Sequence, residues 1–119
     1  MSTPTIYPGE NRRFSRSLYL ENGTTTLPVA SLSYARAELY QQGTLLATYL
    51  LSAATNLRAG SAANELILEL TSTFTATLTE GRVLEVKWTL KVADTDFTQE
   101  PNVFVDMQLE TLAEILKAP

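Results

Sequence analysis

The sequence predicts an all-β fold, an antiparallel sandwich of about seven strands. Three observations lead there. Apolar and polar residues alternate in run after run, most cleanly in RVLEVKWTLKV from Arg82 to Val92. Turn signals rich in Gly, Asn and Pro recur about every ten residues. Few segments are long enough for the helices that cross between parallel strands. The 119 residues fit one domain, and an apolar content of 45% suffices for a sizeable core. No linker or strong internal repeat divides the chain. The expected organisation is an extended N-terminal arm over residues 1–9 and a single sandwich domain over 10–119.

Within the arm, STPTIYPG holds two prolines and a glycine. Proline donates nothing to a central ladder, so this segment suits an extended path or a sheet edge. RFSRSLYLE follows, with Phe14, Leu18 and Leu20 on one face and Arg13, Ser15, Ser17, Tyr19 and Glu21 on the other; Arg16 interrupts the apolar face. NGTTTLP supplies a turn, because Asn22-Gly23 tolerates positive φ and Pro28 ends a ladder. SYARAELY alternates again, with Ala35, Ala37 and Leu39 against Tyr34, Arg36, Glu38 and Tyr40. Its residue types also favour a helix, but QQG and the resumption in TLLATYLL favour a hairpin. SAATNLRAGSAAN is small, polar and aperiodic, and reads as the longest loop. ELILEL is a strand with Leu66, Leu68 and Leu70 on one side, and TSTFTATLTEG fits a short strand or one helical turn.

The long ribbon sets Leu84, Val86, Trp88, Leu90 and Val92 on one face. Each would contribute about 2 kcal/mol when buried, and a slip of one residue would expose them all. ADTDFTQEPN reads as a loop, and VFVDMQL as a strand aligning Val103, Val105, Met107 and Leu109. In ETLAEILKA, Leu109, Leu112 and Leu116 fall three and four apart. That spacing suits a short C-terminal helix over 109–117, with a continued strand as the alternative.

Composition excludes several function classes. The net charge is −4, and the nine Lys and Arg residues are scattered apart from Arg12, Arg13 and Arg16. Nucleic-acid binding needs a basic footprint that this chain lacks. Cysteine is absent, which removes disulfides, thiol nucleophiles and Cys-based zinc sites. Histidine is absent too, which removes Ser-His-Asp and Cys-His catalysis and the commonest transition-metal ligand. The expectation is a protein without catalytic activity or cofactor. The first residues lack the apolar stretch of a signal peptide, and no run reaches the roughly 20 apolar residues of a membrane span. The expected location is a cytoplasm, or a larger particle assembled there.

Few residues remain as candidates for chemistry. Asp94, Asp96 and Glu100 offer hard oxygen ligands for calcium, but lack the glycine and the ligand spacing of an EF-hand; acidic residues after a strand ordinarily solvate a turn. Glu85 set against Glu65 or Glu69 would resemble a glycosidase pair if the carboxylates lay about 5–10 Å apart. Cross-strand matching of Lys87 and Lys91 with glutamates accounts for the same residues. Trp88 shares parity with Leu84, Val86 and Leu90, so it reads as a core anchor whose indole N–H needs an acceptor. Tyr34 and Tyr40 lie on the polar side of their strand, with Tyr49 opposite in the hairpin, and exposed tyrosines suit contact surfaces. Arg12, Arg13 and Arg16 fit two readings: pairing with acidic patches on a neighbouring copy, or charges that guard an edge strand.

GENRRFSRSLYLENGTTTLPVASLSYARAELYQQGTLL, then ANELILELTSTFTATLTEGRVLEVKWTLK, then a closing strand, resembles the N-terminal immunoglobulin-like modules of phage baseplate and tail proteins, nearest the BppU-type upper baseplate module. Gly9, Pro28, Leu32, Gly43, Leu66, Leu68, Leu78, Gly81 and Trp88 sit where that order places them, and the likeness runs from about Gly9 to Leu109. The resemblance implies an immunoglobulin-like sandwich and a structural role in a tail or baseplate. It implies contacts with other virion proteins or with copies of itself, in a homo-oligomer, without cofactor, nucleic acid or membrane. A carbohydrate- or ligand-binding sandwich, using Tyr34, Tyr40 or the Asp94–Glu100 loop, is the alternative.

Overall fold

The computed structural model describes residues 3–19, 24–53, 55–93, 102–106 and 109–117, with 102–106 described as backbone. Among them nine strands form two sheets: β1 (Thr5–Ile6), β2 (Arg12–Ser17), β3 (Leu32–Gln41), β4 (Thr44–Leu50), β5 (Leu57–Ala59), β6 (Glu65–Leu70), β7 (Val83–Ala93), β8 (Asn102–Asp106) and β9 (Leu109–Ile115). One helical turn, α1 (Ser72–Thr75), and 3-10 turns at Val29–Ser31 and Leu51–Ala53 join them. The larger sheet runs β1-β9-β7-β3-β4, with β8 also paired to β7; the smaller runs β2-β6-β5. The fold is all-β and sandwich-like.

Alternation places the core. Ala35, Ala37 and Leu39 of β3 and Leu84, Val86, Trp88 and Leu90 of β7 are buried, and so are Leu66, Leu68 and Leu70 of β6. They belong to one apolar cluster that draws on both sheets. The pairing of β3 with β7 sets Ala37 beside Trp88 and Ala35 beside Leu90. A small side chain beside each large one leaves the layer room to close. The helix-prone composition of β3 yields to this context, since ladders on both of its edges and a buried face outweigh local propensity.

Several expectations change. The C-terminal helix does not form: residues 109–115 are strand β9, antiparallel to β7 and parallel to β1. The helix-like spacing has a physical source. A bulge lies opposite Leu84/Glu85, with Ala113 facing Leu84 and Thr111 facing Glu85, so Leu112 is the extra residue. One extra residue shifts the alternation by one, and leucines that belong to a strand then fall three apart. Leu112 and Ala113 are consecutively buried, while Leu109 is exposed.

The long loop over 52–64 contains β5, which pairs with β6 and buries Leu57 completely. Three residues are too few for alternation to register. In the threonine-rich stretch the helical turn forms; Thr71 caps it, its hydroxyl accepting from the Phe74 N–H at 3.3 Å. The N-terminal segment takes the sheet-edge course, as β1 at one end of the larger sheet, and packs into the domain. Ile6 is fully buried, Thr5 and Ile6 stand opposite Glu114 and Ile115, and the Pro4 and Ile6 carbonyls accept from the Glu114 and Leu116 amides at 2.9 Å. The strand count exceeds seven because of the short β1 and β5 and because β9 stands where the helix is expected. Leu20, Met107 and the Asn22-Gly23 turn lie outside the described residues.

Two buried polar side chains hold the connections. The Thr75 hydroxyl donates to the Glu10 carbonyl at 2.7 Å and accepts from the Gly9 N–H at 3.1 Å, fastening the N-terminal segment to α1. The Gln41 side-chain amide donates to the Thr79 carbonyl at 3.1 Å and accepts from the Thr79 N–H at 2.8 Å. That double bond pattern imitates a strand partner and fixes the approach to β7.

Candidate contact surfaces

β3 and β7 place the sequence-singled tyrosines on the outer face of the larger sheet. Tyr34, Arg36, Glu38 and Tyr40 project there, each half-buried. Lys91 Nζ stands 4.9 Å from the Tyr34 ring centre and the Arg36 guanidinium 5.8 Å from it, so two cations approach one aromatic ring. Arg36 Nε lies 3.3 Å from Glu38 Oε1, and Arg36 Nη2 is 3.4 Å from Thr89 Oγ1. The Tyr40 hydroxyl donates to Glu38 Oε2 at 3.2 Å. Partial burial pushes the Tyr40 phenol up, and the carboxylate it bonds pushes it further. The face is thus a ladder of mutually bonded side chains in fixed orientations. Tyr49 is not part of it. It pairs with Ala37 on the inner side and meets Phe74 edge to face, ring centres 6.4 Å apart.

Beside that face, β4 forms the end of the larger sheet. It exposes Leu45, Leu46 and Leu50 at 49%, 39% and 37%. The sequence predicts β4 only as half of a hairpin. A signal was present: no charged residue occurs between Glu38 and Arg58.

The three arginines separate by parity. Arg12, Phe14 and Arg16 lie opposite Leu70, Leu68 and Leu66, on the inner side of β2, while Arg13 lies outward opposite Glu69. The Arg12 guanidinium sits 5.7 Å from the Phe14 ring centre. Arg16 reaches across to the larger sheet, its guanidinium 5.2 Å from the Trp88 ring centre. Burial pushes the Arg16 guanidinium down, and the Glu110 carboxylate opposes that shift. Glu110 also accepts the Trp88 indole N–H at 2.8 Å. The indole that sequence analysis left in need of an acceptor therefore finds one on β9. Arg16, Trp88 and Glu110 join three strands of two sheets, so Arg16 is a packing residue.

On the outer face of the smaller sheet, Arg13, Ser15, Arg58, Gly60, Ser61 and Glu65 surround a shallow depression of about 300 Å³. The Ser15 hydroxyl and the Ser61 N–H both donate to Glu65, and a side chain at Gly60 would collide with the Glu65 carboxylate. The Ser15 hydrogen bond holds the Glu65 carboxyl below its ordinary range. The favourable contribution of such a depressed carboxylate is present above the ordinary value and fades as pH falls through the lowered one. Ser15→Ala is accordingly expected to raise the Glu65 pKa, read by NMR titration of its side-chain carboxyl; an unmoved titration would show that Ser15 does not set it.

The carboxylate pair considered from sequence does not assemble. Glu85 stands opposite Tyr40 on the outer face of the larger sheet, whereas Glu65 and Glu69 occupy the outer face of the smaller one. Lys87 faces Glu38 across the strands, the cross-strand match expected of it, whereas Lys91 stands opposite Tyr34. Asp94, Asp96 and Glu100 lie outside the described residues. No helix among the described residues is long and apolar enough to cross a membrane.

Fold and surfaces together define an all-β, sandwich-like module with ordered polar side chains on both outer faces. No protein-family model, curated protein or solved structure matches the chain.

Proposed function

We propose that this chain is an immunoglobulin-like assembly module of a phage or prophage virion, in the tail or baseplate, acting by protein–protein contact without catalysis. The observation that carries the reading is the outer face of the larger sheet. Tyr34 and Tyr40 are held there by Arg36, Glu38 and Lys91 next to the exposed leucines of β4. Aromatic side chains already fixed in place add contact area at little entropic cost on binding. The sequence likeness to baseplate modules supplies the particle.

Mass spectrometry of particles purified from a producing strain tests it. The chain is expected in the particles, and the pair Tyr34→Ala with Tyr40→Ala is expected to lower its incorporation while leaving its circular dichroism unchanged. Absence of the wild-type chain from the particles would refute the assembly role. The depression around Arg13, Arg58, Ser15 and Ser61 favours a second reading, a small polar ligand such as a glycan. Binding on a glycan array that is lost in Arg13→Ala would select that reading.

A further inference from the structure

We infer that the outer edge of β4 is a self-association strand, through which two copies of this chain join their larger sheets by antiparallel β4–β4 pairing. This deepens the contact reading by naming a partner, and it rests on that reading only in taking a surface as the working part.

β4 ends its sheet among the described residues, so the backbone groups on its outer side have no strand partner there. Its sequence, TLLATYL, holds no charge, whereas each other strand longer than two residues carries at least one. Edge strands are ordinarily guarded by lysine, proline or inward-pointing charge. β2, an edge of the smaller sheet, is guarded in this way by Arg12 and Arg16. β4 has only the bulge at Leu46, where Leu39 faces Ala47 and Tyr40 faces Leu45.

Charge selects the occupant. The chain carries −4, so most approaches of two copies bring like charges together. β4 adds no charge of its own to that opposition, which makes it the least opposed approach along a strand edge. In a two-fold antiparallel pair each strand meets its own sequence reversed, so threonine, leucine, alanine and tyrosine face only one another. A strongly charged partner would find nothing on this strip to match. Leu45, Leu46 and Leu50, already exposed on this strand, would gain apolar cross-strand neighbours at the joint.

The full chain is compared with Thr48→Lys and Leu46→Lys by size-exclusion chromatography with light scattering, from micromolar to near-millimolar concentration. The wild-type mass is expected to rise from one chain to two. Each lysine variant is expected to weaken dimerisation at least tenfold, the equivalent of about 1.4 kcal/mol, with the circular dichroism of the dilute monomer unchanged. Amide exchange in concentrated wild type is expected to slow chiefly within β4. A wild type that stays monomeric throughout overturns the inference, as does a dimer that survives both substitutions without protection of β4. A monomeric chain still found in particles would overturn this inference alone and leave the assembly role standing. A β4-dependent dimer absent from particles would do the reverse.

Discussion

Trp88→Ala is expected to lower the unfolding free energy by about 3–5 kcal/mol, the usual cost of deleting a large buried aromatic side chain. Natural domains hold only about 5–15 kcal/mol in total, so the loss is a large fraction of the whole. The site argues for the upper part of the range. Trp88 is 2% exposed and neighbours Ala37, a side chain too short to refill the space. Its loss also strips the Arg16 guanidinium of the ring it covers and the Glu110 carboxylate of its indole donor. Arg16 is already partly desolvated, so it keeps the cost of burial without the contact that offsets it. Urea titration followed by circular dichroism measures the loss. Trp88→Phe should recover much of it, because most of the ring volume returns and the exposed Glu110 turns to solvent. A loss below about 1 kcal/mol for Trp88→Ala would contradict a packed core centred on β7.

Ile6→Ala carries the second large effect, a loss of about 2–5 kcal/mol. Ile6 is fully buried and opposite Ile115, also buried, in the parallel pairing of β1 with β9. Deleting residues 2–8 should cost at least as much. It removes the Pro4 and Ile6 carbonyls that accept from the Glu114 and Leu116 amides, and opens the edge of β9. The measurement separates two roles for this segment. A part of the domain's own sheet shows its loss as a lower denaturation midpoint at every protein concentration. An arm that lies along a neighbour shows it as a change in mass by light scattering with the dilute midpoint unmoved. The burial of Ile6 predicts the first result.

How much was legible in the chain follows from how each element carries its signal. β3, β6 and β7 alternate over six or more residues with one apolar face turned to the core, a pattern that survives the burial of Ile67 and Thr89 on the other side. β5 was hidden because three residues hold no period. β9 imitates a helix because its bulge at Leu112 resets the phase, so helix and strand both fit its leucine spacing. The tyrosine face could be placed by parity alone, since Tyr34 and Tyr40 share one side of β3. The cation over Tyr34 could not, because Lys91 meets that ring only through the register of β3 against β7. Arg16 marks the same limit. Its place on the apolar side was visible as a flaw, but nothing local said that an indole from the other sheet lay beneath it.

By itself the sequence determined the strand-rich class, the inward face of β3, β6 and β7, and the lack of the histidine and cysteine on which so much catalysis depends. Those are properties of period and composition, which each segment carries within itself. Only the tertiary structure decided that residues 109–115 close the larger sheet as a strand, that Ile6 belongs to the core, and that β4 is left at an edge. Such outcomes depend on which distant segment offers an open ladder, and no stretch of chain holds that information until the others are in place.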